Sequence, residues 1–333
     1  MKRIALLALC GVACRTAAPA PTPVAEDVLA QPRALPAAPK GLPAVISPEA
    51  DPLTAAKADL GWRLFFDPKL SKDGSKACAG CHLPERAYTT PNATDAKVGG
   101  APNKRNSPSV ANLAFFANYY WDGRAPTLEV VSNAAWKGQL GADPVVVSKS
   151  LNADATYRAR FIRAFGEPAS AENVPRALAA FFRALTTGDS PYDRFVAGDT
   201  SALSAQQQQG LRVFTSSGCG TCHVPPLFMD TGFHNVGIGD DPGRRDATKE
   251  ERDTGAFKTP SLRNVALTAP YFHDGSAKTL DDAIALMAKG GNANPHLDDG
   301  LKPVSLAPAD AAALKAFLEG LTGPVSYPSA PPP

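Results

Sequence analysis

Two short cysteine motifs constrain this 333-residue chain more than any other feature of its sequence. Both have the spacing CxxCH, as CAGCH at residues 78–82 and CGTCH at residues 219–223, and this spacing is the attachment pattern of c-type haem. Two thiols three positions apart on a turn can reach the two vinyl groups on one haem edge, and the next residue then lies beneath the iron. The residues concerned are Cys78, Cys81, His82, Cys219, Cys222 and His223.

Two other chemistries also use closely spaced cysteines. A zinc site needs a set of four ligands, and a dithiol redox pair does not require a histidine directly after its second cysteine. Here the pattern occurs twice, and the other two cysteines, Cys10 and Cys14, lie near the N-terminus. We therefore predict two covalently bound haem c groups, haem 1 on the first motif and haem 2 on the second, with His82 and His223 as iron ligands.

The composition is that of a folded globular protein, with 44% hydrophobic and 20% charged residues. The formal net charge is +2 and the basic residues are scattered along the chain, so the sequence indicates no nucleic-acid partner. The length suits about two domains.

The N-terminus has the pattern of a secretory signal. Lys2 and Arg3 precede an apolar run over residues 4–13, which is shorter than the ~20 residues that a membrane-spanning helix needs. We expect a signal peptide over residues 1–18, with lipidation of Cys14 as the alternative processing. Residues 19–48 are rich in proline and alanine and predict an extended, semi-rigid linker, and residues 325–333 are a proline-rich tail. Export to the periplasm follows, either as a free protein or as a lipoprotein anchored through Cys14.

The chain repeats part of its sequence at an offset of 152 residues: Pro-Ser at 108–109 returns at 260–261, and Thr-Leu at 127–128 returns at 279–280. Each half also ends in a segment whose apolar residues recur at i, i+3, i+4 and i+7, as in a helix with one buried face. The repeat predicts a mostly α-helical protein of two tandem cytochrome c-like domains, over residues 49–197 and 198–324, each with one covalently attached haem.

The two irons are predicted to differ on the side opposite the proximal histidine. The first domain has no histidine besides His82 and no methionine, so it lacks the usual strong sixth ligands. Lys97 and Tyr119 are the alternatives there. Because an iron reacts with a small molecule only through an open coordination position, we expect haem 1 to be five-coordinate or water-ligated, and reactive.

The second domain does offer sixth ligands. Met287 lies late in the domain, as the methionine ligand of a cytochrome c normally does, and its counterpart in the repeat is Ala135, which cannot bind iron. Met229 and His234 follow the haem motif closely and are weaker candidates, and His273 is expected in a turn. Histidine–methionine ligation raises the potential of a haem, so haem 2 should accept electrons readily.

In the order and spacing of its motifs, the chain resembles the bacterial di-haem cytochrome c peroxidases, a family that includes the MauG-type protein-oxidising enzymes. The resemblance covers about residues 49–324. It depends on both CxxCH motifs, on RNSP at 105–108, WDGRA at 121–125, PSLRN at 260–264 and LTAPYFH at 267–273, and on the Met287 segment. It implies that haem 1 is the peroxidatic centre and that haem 2, bound by His223 and Met287, is the centre where electrons enter.

The resemblance also implies further site residues and partners. Trp121 would lie between the haems and relay the electron. A calcium ion between the domains would be held by the Asn106 side chain and the backbone carbonyls of Thr268 and Pro270, which are the oxygen donors that a hard cation prefers. Hydrogen peroxide would be the substrate and a small cytochrome c or cupredoxin the electron donor, while a homodimer and a lipid anchor stay open.

Two departures from the family pattern bear on the chemistry. Where many members have a histidine that blocks haem 1 until haem 2 is reduced, this chain has Val98, so we expect no reductive activation. The distal glutamine and glutamate of the family are replaced by Val131 and Gln139, and an amide can bind peroxide but cannot carry its proton. Glu129 and Asp143 are the candidate carboxylates for that step.

These features favour an exported cytochrome c peroxidase that reduces hydrogen peroxide to water at haem 1. Two other functions stand as hypotheses: MauG-like oxidation of a partner protein, and a non-catalytic di-haem electron carrier or sensor. The MauG-type enzymes have a tyrosine ligand on haem 2, which Met287 argues against. The open position on haem 1 argues against a pure carrier, whereas the missing distal acid favours one.

Overall fold

The computed structural model describes residues 29–331, so the predicted signal peptide and Cys14 lie outside the described residues. Helices dominate within this range, as the sequence predicts, and none of them is long and apolar enough to span a membrane. The α-helices are α1 (Ala55–Phe66), α2 (Leu128–Gly138), α3 (Pro144–Ala153), α4 (Ala155–Phe165), α5 (Asn173–Ala184), α6 (Pro191–Val196), α7 (Ala205–Ser216), α8 (Arg245–Thr248), α9 (Leu280–Ala288) and α10 (Pro308–Glu319).

The strands β1 (Phe233–His234) and β2 (Phe257–Lys258) form a short antiparallel pair. Single turns of 3₁₀ helix connect many of the longer elements. They span Pro68–Leu70, Cys78–Gly80, Pro84–Arg86, Leu113–Phe115, Cys219–Thr221, Glu251–Asp253 and Val265–Leu267.

Each half is built on two long helices that cross at a glycine. In the first half α1 crosses α5, and a Cβ placed on Gly61 would lie 1.9 Å from the carbonyl oxygen of Ala177. In the second half α7 crosses α10, and a Cβ on Gly210 would lie 1.9 Å from the carbonyl oxygen of Ala313. The absence of a side chain at these two positions therefore allows the helix backbones to touch.

The repeated sequence folds in the same way in both halves. Asn112 and Asn264, one repeat apart, both have left-handed backbone, with φ of 61° and 58°, which asparagine tolerates better than most residues. Each side chain exchanges two hydrogen bonds with the chain beyond the last helix of its half, Asn112 with Thr187 and Asn264 with Gly323, at 2.8–3.2 Å. By the same repeat, α2 and α9 begin at equivalent leucines.

Helix α6 packs with the second half, although the sequence placed the domain boundary after it, between residues 197 and 198. The ring of Tyr192 lies 5.0 Å from that of Phe228 and 5.9 Å from that of Phe317, measured between centroids. The adjacent Asp193 forms a fully buried two-bond ion pair with Arg263, with N–O distances of 2.8 and 2.9 Å. Packing therefore groups α6 with the second core.

Residues 29–48 and 324–331 lie against the folded body. The guanidinium carbon of Arg33 lies 5.9 Å from the ring centroid of Trp62 and 5.6 Å from that of Tyr327. Ser326 donates a hydrogen bond to the Ala184 carbonyl at 2.8 Å. The proline-rich composition thus predicts the lack of regular secondary structure in these segments but not their packing.

The glycine crossing can be tested by adding one methyl group. Gly61→Ala should lower the free energy of unfolding by about 1–3 kcal/mol, because the new Cβ overlaps the Ala177 carbonyl and the helices must move apart. Urea unfolding followed by circular dichroism would measure the change. Gly138→Ala at the end of α2 is the matched control, since a Cβ there meets no atom within 4 Å, and an equal stability of the two variants would contradict the crossing.

Candidate functional site

A cavity of about 1330 Å³ lies between the two halves, and both CxxCH motifs line it. Each motif opens with a single 3₁₀ turn, which brings its two cysteines to the same side of the chain. None of the four motif cysteines forms a disulfide in the part of the chain that the structure describes. The six predicted attachment residues therefore share one cavity: Cys78, Cys81, His82, Cys219, Cys222 and His223.

His82 and His223 are held in the same way. Nδ1 of His82 lies 3.2 Å from the Tyr88 carbonyl oxygen, and Nδ1 of His223 lies 2.9 Å from the Phe228 carbonyl oxygen. Because a carbonyl only accepts hydrogen bonds, Nδ1 carries the hydrogen and Nε2 keeps a lone pair for a metal. Burial also lowers the pKa of both imidazoles, which favours the neutral, metal-binding form. The arrangement fits one haem on each motif.

Helices α2 and α9 present different residues to the cavity at equivalent positions. Both helices begin at a threonine N-cap, where the hydroxyl oxygen of Thr127 or Thr279 accepts a hydrogen bond from the first helical turn. Ala135 on α2 and Met287 on α9, one repeat apart, both line the cavity. A methionine thioether is a haem-iron ligand in many cytochromes c, whereas the methyl group of an alanine cannot bind iron. The chemical difference between the halves is thus present at one shared structural position.

Gln139 caps the C-terminal end of α2 and also lines the cavity. Its side-chain Oε1 accepts a hydrogen bond from Asn103 Nδ2 at 2.9 Å, and its backbone carbonyl accepts one from Val98 N at 2.9 Å. Asn103 therefore occupies the acceptor end of the amide and leaves the Nε2 hydrogens to donate elsewhere. Lys97, the alternative sixth ligand, lines the cavity beside this group.

The two candidate carboxylates lie away from the cavity. Glu129 pairs with Arg183, with an N–O distance of 2.7 Å. Asp143 caps α3 by accepting hydrogen bonds from the backbone of Val145 and Val146. Neither carboxylate lines the cavity, and we assign neither a part in the reaction.

Trp121 lies where the two halves meet and lines the cavity. Its indole Nε1 donates a hydrogen bond to the Asn106 carbonyl at 2.9 Å. Its own carbonyl accepts a hydrogen bond from Lys258 N, in the second half, at 2.8 Å. The residue is therefore held by both halves of the molecule.

Asn106, Thr268 and Pro270 all line the cavity. The Asn106 side chain donates through Nδ2 to the Asn92 carbonyl at 2.9 Å, which leaves Oδ1 as an acceptor. Among residues 29–331, no donor bonds the carbonyls of Thr268 and Pro270, whereas the intervening Ala269 carbonyl accepts from an arginine. Three oxygen atoms of the cavity wall thus accept no hydrogen bond from the residues that the structure describes.

The other sixth-ligand candidates are less favourably placed. Both ring nitrogens of His234 face carboxylates, Asp298 at 2.6 Å and Asp230 at 2.9 Å. Met229 is buried and does not line the cavity. The Tyr119 hydroxyl donates to backbone carbonyls in its own half. Each would have to give up its present contacts to reach an iron.

Arg105 and Lys258 also line the cavity, and no role was derived for either from the sequence. Arg105 forms a two-bond ion pair with Asp241 in the second half at 2.6 and 2.8 Å, and it bonds Asp122 at 2.6 Å. No spacing in the sequence could show these contacts, because the partners are far apart along the chain.

The comparisons with known proteins agree with this geometry. The sequence profile of the family described as di-haem cytochrome c peroxidase matches residues 55–201. The methylamine utilization protein MauG of Methylorubrum extorquens is 37% identical over 317 residues, which cover 92% of this chain and 89% of that protein. The chain belongs to the di-haem cytochrome c peroxidase family.

Two further matches support the same conclusion. The cytochrome c peroxidase Ccp of Escherichia coli is 38% identical over 263 residues, which cover 73% of this chain and 55% of that protein. A crystal structure of a MauG-like protein associated with microbial copper homeostasis has a TM-score of 0.80 and 31% identity, and the match covers 86% of this chain and 95% of that chain. The predicted family is confirmed, and membership implies two cytochrome c-like domains with two haem c groups. Because the relatives include both a MauG protein and a peroxidase, family membership alone does not determine which reaction the protein catalyses.

His273 gives a pH-dependent test of the cavity wall. Its ring stacks on Phe257 with 3.6 Å between centroids, and burial lowers its pKa from 6.5 to about 4. Between pH 6.5 and 4, His273 is protonated in the unfolded chain but neutral in the folded protein. The free energy of unfolding should therefore decrease as the pH falls through this range. In the variant His273→Gln, this acid-induced decrease in the free energy of unfolding should be smaller by about 1–3 kcal/mol. Urea unfolding across this pH window would measure it.

The control is His296→Gln, since His296 is partly exposed and contacts a mainly exposed carboxylate. This variant also removes one imidazole but leaves the stack of His273 on Phe257 in place. Equal acid dependence of His273→Gln and the unaltered protein would contradict the buried, neutral state of His273.

Proposed function

We propose that this protein is an exported, periplasmic di-haem peroxidase. It reduces hydrogen peroxide to water at haem 1, with electrons from a small cytochrome c or cupredoxin that enter at haem 2. One observation carries the proposal: in a single cavity, at equivalent helix positions, the first half has Ala135 and the second has Met287. The first iron would thereby lack a second protein ligand and could bind a small molecule, whereas Met287 would supply that ligand to the second iron.

Two c-type haems bound to the motif cysteines would supply the irons and the reversible electron transfer. His82 Nε2 would hold the first iron, and the Tyr88 carbonyl keeps that imidazole in the required tautomer. His223 and Met287 would hold the second iron. Ala135 has no atom that could bind an iron, so the first iron would stay accessible to peroxide.

Gln139 is the residue that we assign to peroxide binding. Because Asn103 occupies its Oε1, the amide hydrogens on Nε2 remain to donate to a peroxide oxygen. An amide cannot accept and return the proton that must pass between the two oxygens, a step to which a positioned acid–base group contributes about 10²–10⁴-fold. We therefore expect turnover, but slower than with a carboxylate at this position.

Trp121 is the residue that we assign to electron relay between the haems. Its indole donates a hydrogen bond to the Asn106 carbonyl, and its backbone carbonyl accepts one from Lys258 N. These bonds hold the residue to both halves of the molecule. A calcium ion held by Asn106 Oδ1 and the carbonyls of Thr268 and Pro270 would strengthen the same junction. All three are oxygen donors, which calcium prefers.

MauG-like oxidation of a partner protein is the second candidate, and the 37% identity to a MauG protein favours it. In that reaction oxidising equivalents would be stored over both haems and drawn from a protein side chain. Met287 favours the peroxidase, because a methionine ligand stabilises the reduced iron and makes the second centre a poor store of oxidising power.

Rapid mixing with hydrogen peroxide tests the proposal. In the holoprotein with reduced cytochrome c as donor, we expect a fast change of the haem 1 spectrum and steady donor oxidation. Gln139→Glu should raise the rate about 10²-fold because it restores a group that can carry the proton, and Gln139→Leu should lower it. A long-lived oxidised state without donor oxidation would favour the MauG-like reaction, and the absence of any spectral response would favour an electron carrier.

Ligation of haem 2 can be tested separately from turnover. Met287→Leu should convert one haem from low-spin to high-spin and lower its midpoint potential, because the thioether ligand is lost. Electronic absorption and a redox titration would show both changes. Met229→Leu is the matched control, since Met229 is buried away from the cavity. If Met229→Leu alone altered the spin state, the assignment of Met287 would be wrong.

A further inference from the structure

Lys258 is a cation of the second half whose side chain reaches the first half. It lies on β2, paired with Phe233 of β1, and its backbone N–H bonds the Trp121 carbonyl at 2.8 Å. Its Nζ lies 4.1 Å from the ring centroid of Phe116, and both Phe116 and Cys78 pack on the hydrophobic core of the first half. The ammonium group is therefore placed against the first half, which carries the first motif.

This ammonium has no anionic partner among residues 29–331, unlike its neighbours. Arg105 pairs with Asp122 and Asp241, and Arg124 pairs with Asp122. Lys258 instead has the face of the Phe116 ring beside its Nζ. Desolvation lowers the pKa of Lys258 to about 8, and no carboxylate in the described part of the chain offsets this effect. The surroundings therefore disfavour the charged form of the lysine.

The cavity that Lys258 lines is the one in which the proposed haems would lie, and a haem brings its own carboxylates, the two propionates. We infer that the Lys258 ammonium forms an ion pair with a propionate of the haem attached to Cys78 and Cys81. A buried ammonium is unfavourable unless a counter-charge accompanies it, and the cofactor supplies that charge. The second half thereby completes the cofactor site of the first half.

This pairing has an electrical consequence. A fixed positive charge near an iron favours the state with one more electron, so Lys258 should raise the potential of haem 1 relative to a site without it. The backbone N–H of Lys258 also bonds the carbonyl of Trp121, so the cation lies next to the residue that we assign to electron relay. The inference rests on the covalent haems of the proposed function and not on reaction with peroxide.

The test is a redox titration of the holoprotein without peroxide, after the haem content has been measured. Lys258→Met should lower the midpoint potential of haem 1 and leave that of haem 2 unchanged, and Lys258→Arg should restore it. Haem 1 is identified as the one that Met287→Leu does not alter. Lys137→Met is the matched control, because Lys137 is an exposed lysine of α2 that does not line the cavity. Lys258→Gln gives a second neutral variant if Lys258→Met fails to assemble.

Three results would overturn the inference. An unchanged haem 1 potential in a neutral variant that holds two haems would show that Lys258 has no propionate partner. Conversion of haem 1 from low-spin to high-spin in that variant would show that Lys258 is an iron ligand instead. Fewer than two haems in the unaltered protein would overturn the proposed function, and the inference with it, so the two failures are distinguishable.

Discussion

The close crossing of the first and last long helices in each half is the constraint on which the rest of the structure depends. Gly61 and Gly210 let the backbones of α1 and α7 touch those of α5 and α10, and protein interiors are too densely packed to absorb a displaced helix. Helix α7 ends at Ser216, three residues before Cys219. The crossing therefore determines where the second motif leaves its helix and how far its thiols and imidazole extend into the shared cavity.

On this duplicated frame, one side chain changes the chemistry without changing the fold. Ala135 and Met287 occupy equivalent positions on α2 and α9, and alanine and methionine are both good helix formers. Neither residue is needed for its helix to form, and both helices are capped by threonine in the same way. The two iron environments that we propose could therefore differ while both helices stay the same. The same frame would therefore accept other ligand pairs, which is consistent with relatives that include both a peroxidase and a MauG protein.

Much of this organisation could be predicted from the sequence, and the failures have physical causes. The CxxCH spacing, the repeat and the helical periodicity are local patterns, so they predicted the family, the mostly helical fold and the residues that share the cavity. Glu129 could have been set aside from the sequence, because at 100° per residue it lies about 200° around α2 from Val131, which faces the cavity with Ala135 and Gln139. The Arg105–Asp241 pair, the contact of Asn103 with Gln139 and the packing of residues 29–48 join distant parts of the chain, and no local pattern encodes them.

The junction between the halves is held by polar contacts, whereas the apolar cores on its two sides are separate clusters. Arg105 bonds Asp241 across it, and Asn106 N bonds the His273 carbonyl at 2.6 Å. The buried Asp193–Arg263 pair ties α6 to the second half beside this junction. Hydrogen-bonded ions have a defined geometry, while two apolar faces can slide over each other, so the polar contacts specify one arrangement even where they add little stability. The electron relay that we propose for Trp121 would need this property, because the distances from its ring to both motifs would have to stay the same while charges change on either side.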